Sequence, residues 1–468
     1  MTSCAAEARG WCAKSVLIGI LIIPSLASAA NLTDLYELAL KNDPTFQSAT
    51  FTMQAARQLR PEALSALLPA LSASGSASRL VGRTQYTNTP LVNRSFDADQ
   101  WVLQLTQPIL RVESILAYGE ARASVEQAVA QYAAAEEDLL LRISRAYFDV
   151  VVAEHHVAAA RAQVAALNEQ LQAARHSFDA GVASITDVDD AKSRIALAEA
   201  QQDAALNDVE ASRAALEAII GMTPPALNAL KSDALLPRPD PSDVGAWVTR
   251  AVADNPAVKA ANAAVTVADY EVDRSRAQRL PTIDMVATYG GNYSSGNITQ
   301  PTDYSTNAKD RQLSVQVSVP LLEGGAMRAH VAEARAKKSK ALADLTAAER
   351  QAALSARQSY AAILSGVSQV RALETAVSAG RSAVKGNRAG YGLGIRINSD
   401  VLNAEQQLYS TMQDLDKARY DTLFEGLKLK AATGELSPQD LRVINGLFEP
   451  EPRVDNPGQG PGTPPASL

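Results

Sequence analysis

Two short stretches of the chain set polar side chains around glycine in the same order. Phe178 to Ile195 reads FDAGVASITDVDDAKSRI, and Tyr391 to Leu408 reads YGLGIRINSDVLNAEQQL. Each has an aromatic residue, a glycine three positions on, and Asp-Val six positions after that. Gly181, Gly392 and Gly394 permit a tight reversal of the chain, including φ > 0. Thr186 and Asp187 are of the types that cap a helix returning from such a turn, and Ser399 and Asp400 stand at the matching place in the second stretch. Tyr391 and Arg396 have no capping rationale.

Other candidates for chemistry are sparse. Cys4 and Cys12 both lie before the apolar run that opens at Ser15. If that leading segment is removed, no disulfide, thiolate nucleophile or Cys metal site remains. His155 and His156 sit mid-helix with no third ligand nearby, so exposed or packed histidines are expected rather than a metal pair. No window matches a phosphate-cradling loop or a nucleophile motif, so neither an enzyme nor a cofactor is expected. A pI near 5.4 argues against a nucleic-acid binder.

The elements that must position the two turns follow from pattern. Arg9 and Lys14 precede the apolar run Ser15 to Ile23, then Pro24, and Ala27-Ser28-Ala29 offers small residues for cleavage. This reads as a secretory signal over 1–29. An uncleaved anchor would need about 20 apolar residues. No later segment has a run of that length, so contact with a membrane must be made through strands.

The rest of the chain is a duplication. Pro44, Pro69 and Pro108 recur at one constant offset as Pro256, Pro281 and Pro320. Tyr147, Gly181, Asp187 and Gly221 recur as Tyr360, Gly394, Asp400 and Gly434, with the offset longer by a single position. The expected units are 30–222, a Pro-rich linker 223–242, 243–436, and a C-terminal segment 437–468 with a disordered Pro/Gly-rich tail.

Each copy begins with a helical pattern, Leu32 to Leu68 and Val244 to Leu280, broken near its start at Asn-Asp-Pro and Asp-Asn-Pro. Strands follow. QWVLQLTQP sets Trp101, Leu103 and Leu105 against Gln100, Gln104 and Thr106, and RQLSVQVSVP sets Leu313, Val315, Val317 and Val319 against Gln312, Ser314, Gln316 and Ser318. Weaker partners start at Ala70 and Thr282, with polar loops expected at Val81 to Asp99 and Gly290 to Asp310. Long helical runs come next, Glu113 to about Phe178 and Glu323 to about Tyr391. Val150, Val157, Val164 and Leu171 fall seven apart, as do Ile363, Val370, Val377 and Val384, which predicts coiled-coil packing. Shorter amphipathic runs return from the turns.

Two strand pairs give four strands per chain. Their Leu/Val/Trp faces suit lipid, and Gln, Ser and Thr suit a wet interior. Four strands cannot close a barrel, and open edges are not tolerated in hydrocarbon, so several chains must share one. The alternative, two small sandwich sheets in a soluble periplasmic protein, leaves the coiled coils without a rationale.

From NLTDLYELALKNDP to AATGEL, and most specifically in the paired turns FDAGVASITDV and YGLGIRINSDVL, the sequence resembles the TolC family of outer-membrane channels. The resemblance implies an α+β membrane protein: a long coiled-coil α-helical periplasmic barrel plus a transmembrane β-barrel shared by a homotrimer. The implied role is the outer-membrane exit duct of a tripartite efflux or secretion system. It is a passive channel opened at its periplasmic tip by an inner-membrane transporter (RND, ABC or MFS type) and a periplasmic adaptor, or membrane fusion, protein. Carried over by motif position, one contact closing the tip runs from Asp187 to Tyr391 and another from Thr186 to Arg396. Asp400 lies in a ring at the constriction, and Asn403 replaces a second acid there, making it less negative. The basic run RAHVAEARAKKSK from Arg328 would lie just periplasmic of the barrel, either touching anionic outer-membrane lipid or as a solvated helix face. Two alternatives are a dedicated type I protein secretion outlet and a periplasmic adaptor; the adaptor should show one hairpin within β-rich domains.

Overall fold

In a computed structural model, residues 31–181, 183–298 and 304–449 are described. The expected signal, 1–29, and the Pro/Gly-rich tail from Pro450 onward lie outside these residues.

The first copy opens with α1, Leu32–Asn42, capped by Asn31 in a reciprocal box with Asp34. Asp43 breaks the helix and caps α2, Pro44–Ser65, accepting from the Phe46 N–H at 2.8 Å, with Pro44 in the first turn. Asp43 is buried and is clasped by both terminal nitrogens of Arg142, at 3.2 and 2.8 Å. This holds its carboxyl below the ordinary range against the opposing effect of burial. Strands β1, Ala70–Thr84, and β2, Val92–Leu110, follow. Then come α3, Val112–Asp179, and α4, Ile185–Ile220. The linker holds a short strand, β3, Ala229–Leu230.

The second copy repeats the order: α5, Val244–Asp254; α6, Pro256–Ala277; β4, Thr282–Ser294; β5, Thr306–Ser318; α7, Ala326–Gly392; α8, Asn398–Ala432. Asn255 caps α6 here and donates to the carbonyls of Ala431 and Ala432. The same break is thus anchored differently, because Ser355 stands in the second copy where the first has Arg142. The described chain closes with α9, Pro438–Asn445, and β6, Phe448–Glu449.

The four long strands form one antiparallel sheet in the order β1-β2-β4-β5. Directly paired residues share a face. Leu71, Leu105, Ala287 and Leu313 make one row, and Ser72, Gln104, Thr288 and Gln312 the next row on the opposite face. The ladders continue into the polar stretches expected as loops: β1 reaches Thr84, and β5 begins at Thr306. Backbone pairing needs no apolar alternation, and Ser295 exchanges two hydrogen bonds with Asp97 at the far end, at 2.8 and 2.9 Å.

α3 and α7 have 68 and 67 residues, so each extends on the order of 100 Å. α4 and α8 pack along the half of α3 and α7 remote from the sheet, and α2 and α6 along the nearer half. The seven-residue stripe faces these partners: Val150, Val157, Leu171, Ile363, Val370 and Val377 are buried. At the waist, Tyr147 and Phe148 meet Tyr420 and Phe448, with Tyr147 stacked on Phe448 at 5.5 Å. Tyr147 donates its hydroxyl to the Asn228 carbonyl, and the Leu230 N–H donates to the Tyr420 hydroxyl. The linker is therefore packed into the waist core, where burial of each such ring stabilises by about 1.5–3 kcal/mol. No described helix is long and apolar enough to cross a membrane.

Candidate functional site at the hairpin tips

The first turn reverses at Gly181, φ 69°. Ser184 caps α4 by accepting from the Thr186 N–H, and Asp187 completes the box by accepting from the Ser184 N–H at 3.2 Å. The cap thus lies two positions before Thr186, whose own hydroxyl donates to Ser184 Oγ at 2.9 Å.

The second turn reverses at Gly394, φ 73°, where the N–H groups of Ile395 and Arg396 both reach the Gly390 carbonyl. Gly392 belongs to the last turn of α7, and a Cβ there would meet nothing within 4 Å. Gly390 is the more crowded glycine, since a Cβ would lie 2.7 Å from Arg396 Cγ and displace that side chain. Ile397 precedes α8 with no side-chain cap, so Ser399 and Asp400 sit inside the first helical turn rather than capping it. Asp400 pairs there with Arg396 at 3.6 Å.

Between the hairpins lies a cleft of about 810 Å³, lined by Asp187, Tyr391 and Arg396 with Gln170, Arg388 and Asn398. Three of the four residues expected at the closing contacts therefore share one cavity. Their pairings within this chain are local, however: Arg396 to Asp400, Thr186 to Ser184. The Tyr391 hydroxyl is buried with no hydrogen-bond partner among the described residues. Asn403 is exposed one turn along from Asp400.

The hairpins are held together by residues the motif did not reveal. Gln170 Nε2 donates to Asn398 Oδ1, and Asn398 Nδ2 donates to the Asp187 carbonyl at 3.2 Å. Leu402 is fully buried among Leu167, Leu171 and Val188. Within the second hairpin, Glu405, almost wholly buried, takes both Nε and a terminal nitrogen of Arg388, at 2.8 and 2.7 Å. Asn398, Val401, Leu402 and Glu405 follow the i, i+3, i+4, i+7 spacing of an inward helical stripe. A stripe with polar ends was the signal available in the sequence.

The remaining candidates are structural. His155 Nδ1 lies 3.6 Å from Asp416, and no group of metal-ligating side chains occurs among the described residues. In the basic run, Lys337 and Lys338 pair with Glu271 and Asp269 of α6.

A sheet with one apolar and one polar face, set on two hairpins about 100 Å long whose tips enclose a cleft, defines the wall segment of a membrane channel with a long helical tunnel. The family model for the outer membrane efflux protein matches residues 35–222 and 247–435. The alkaline protease secretion protein AprF of Pseudomonas aeruginosa is 32% identical over 434 residues, covering 92% of this chain and 89% of that one. The outer membrane protein TolC of Vibrio cholerae is 29% identical, covering 90% and 95%. Among solved structures, the outer membrane protein VceC of Vibrio cholerae superposes with a TM-score of 0.72 at 19% identity, over 86% of this chain and 96% of that one. The chain belongs to the outer membrane efflux protein family. It is an outer-membrane channel component of an efflux or secretion system, with its tunnel extending into the periplasm. The adaptor alternative gains no support from these matches.

Proposed function

We propose that three copies of this chain close a single twelve-stranded barrel and a single helical tunnel, through which cargo passes without energy input from the channel itself. The observation that carries this is the sheet. Its four strands have one apolar and one polar face, and among the described residues its outer strands β1 and β5 have no neighbour beyond them. Open edges are excluded from hydrocarbon, so β5 of one copy pairs with β1 of the next. Strands of 13 to 19 residues exceed the roughly 9–11 that a tilted strand needs to span.

At the other end, Tyr391 closes onto Asp187 across the cleft, Thr186 and Arg396 make the second contact, and Asp400 lines the constriction with Asn403 beside it. An adaptor docks against the tip, where Ile185, Leu393, Ile395 and Ile397 are exposed, and an inner-membrane transporter supplies the energy. The similarity to a protein named for protease secretion supports a protein cargo, and hence an ABC transporter, over small molecules.

Outer-membrane fractions run without boiling test the assembly. The expected result is a heat-modifiable species of three chains. Recovery as a monomer in the soluble periplasm would overturn it.

A further inference from the structure

The helices all join the sheet at one end, so its opposite end is the outer one. On the apolar face the rows toward that end change character. Ala73, Leu103, Tyr289 and Arg311 form one row, Gly75, Trp101, Gly291 and Lys309 the next, then Ala77, Asp99, Tyr293 and Asn307, and last Arg79 beside Asp97. Rows nearer the helices hold Leu71, Leu105, Met285, Leu313, Val315 and Val317 instead.

The aromatic part of this belt is a packed arrangement. Trp101 meets Tyr289 edge-on at 5.2 Å, and the Arg311 guanidinium lies over the same Tyr289 ring at 5.2 Å. Gly291 makes room for the indole, since a Cβ there would stand 2.8 Å from Trp101 Nε1. The cations are largely uncommitted. Arg79 reaches Asp97 at 3.7 Å with both side chains mostly exposed, and Lys309 and Arg311 have no carboxylate partner among the described residues. Asp99 is the other acid on these rows.

Aromatic rings gather where hydrocarbon meets headgroups, and Lys and Arg stems lie along apolar surface while their charges reach outward. A guanidinium also matches phosphate through paired N–H donors. We propose that Lys309 and Arg311 on β5 of one copy and Arg79 on β1 of the next, set on the Trp101–Tyr289–Tyr293 belt, form a binding site for the phosphate groups of an acylated, phosphorylated sugar lipid in the outer leaflet. The proposal rests on the sheet being part of an outer-membrane barrel.

The test titrates the detergent-purified oligomer with a bis-phosphorylated, acylated glucosamine disaccharide and with its dephosphorylated form, counting bound lipid by native mass spectrometry. The phosphorylated lipid binds in preference. Combined Arg79→Gln, Lys309→Gln and Arg311→Gln weakens its binding at least about tenfold. Lys309→Arg with Arg311→Lys retains binding, as does a control with Arg371→Gln, Arg381→Gln and Lys385→Gln on α7. Equimolar inorganic phosphate does not displace the lipid. Unchanged affinity in the triple Gln variant, equal binding of the dephosphorylated lipid, or displacement by inorganic phosphate would each overturn the site while leaving the channel reading intact. Failure to isolate any membrane oligomer removes both.

Discussion

Gln170 and Asn398, one from each half of the duplication, bring their side-chain amides together in the buried space between the two hairpin tips. Asn398 also donates to the Asp187 carbonyl. The contact joins the duplicated halves where the channel is proposed to open.

Asn398→Ala leaves the buried Gln170 donor unpaired, a cost of about 1–3 kcal/mol. Replacing both partners by apolar groups, Gln170→Leu with Asn398→Leu, removes the unmet donor along with the acceptor. The double variant is expected to unfold at a higher temperature than Asn398→Ala. Thermal melts of the purified oligomer decide this; a double variant that melts lower argues that the amide pair does not act as a unit.

Tyr391→Phe with Arg396→Ser removes a hydroxyl donor and a cation from the cleft. Folding is expected to survive, because Asp187 keeps its bond to the Ser184 N–H, while closure weakens and conductance in planar bilayers rises. In the proposed trimer, Asp400→Ala removes a charge repeated by symmetry around the axis and is expected to lower cation preference. Wild-type conductance in the first variant, or unchanged selectivity in the second, contradicts the assigned role.

Val315 and Gln316 are neighbours on β5 that point to opposite faces. An Arg on the lipid face near the midplane costs about 2–4 kcal/mol, and far less in the lumen. Val315→Arg is expected to reduce oligomer in outer-membrane fractions much more than Gln316→Arg. Equal defects would refute the facing.

Glu137 lines a cleft with Glu136, Asp254 and Lys259 near the waist. Burial, then the charge of Glu136, pushes its carboxyl up to about 8, opposed by Lys259. The folded state then holds a proton that the unfolded chain releases near its ordinary value of 4.5. This contribution is complete at low pH and is lost as pH rises from about 4.5 through about 8. Glu137→Gln should therefore gain thermal stability relative to wild type between about pH 5 and about pH 8.5. A pH-independent difference between the two speaks against the buried proton.

Much of the architecture was legible in sequence because it rests on periodicity. The seven-residue spacing of Val150 to Leu171 placed the coiled coils, the alternation around Trp101 and Val315 placed two strands, and proline and glycine offsets exposed the duplication. The strand ends were set too short, since Gly82, Arg83 and Asp97 sustain pairing through backbone contacts that leave no apolar signature. At the tip, Tyr391, Asp187 and Arg396 were placed near one another by motif. The bridge through Gln170 and Asn398 was not, because the inward spacing around Asn398 does not name its partner on the other hairpin.

The central claim is that the sheet is completed by other copies of the chain. After removal of the segment holding Cys4 and Cys12, the chain has no cysteine of its own. Single cysteines scanned along β1, Leu71 to Ser78, can then be combined with single cysteines along β5, Lys309 to Gln316, and oxidised in isolated outer membranes. The account predicts covalent dimers and trimers at one register of pairs, with none at registers shifted along the strands. Failure of every pair to cross-link between chains, in a protein that is folded and in the membrane, would contradict it.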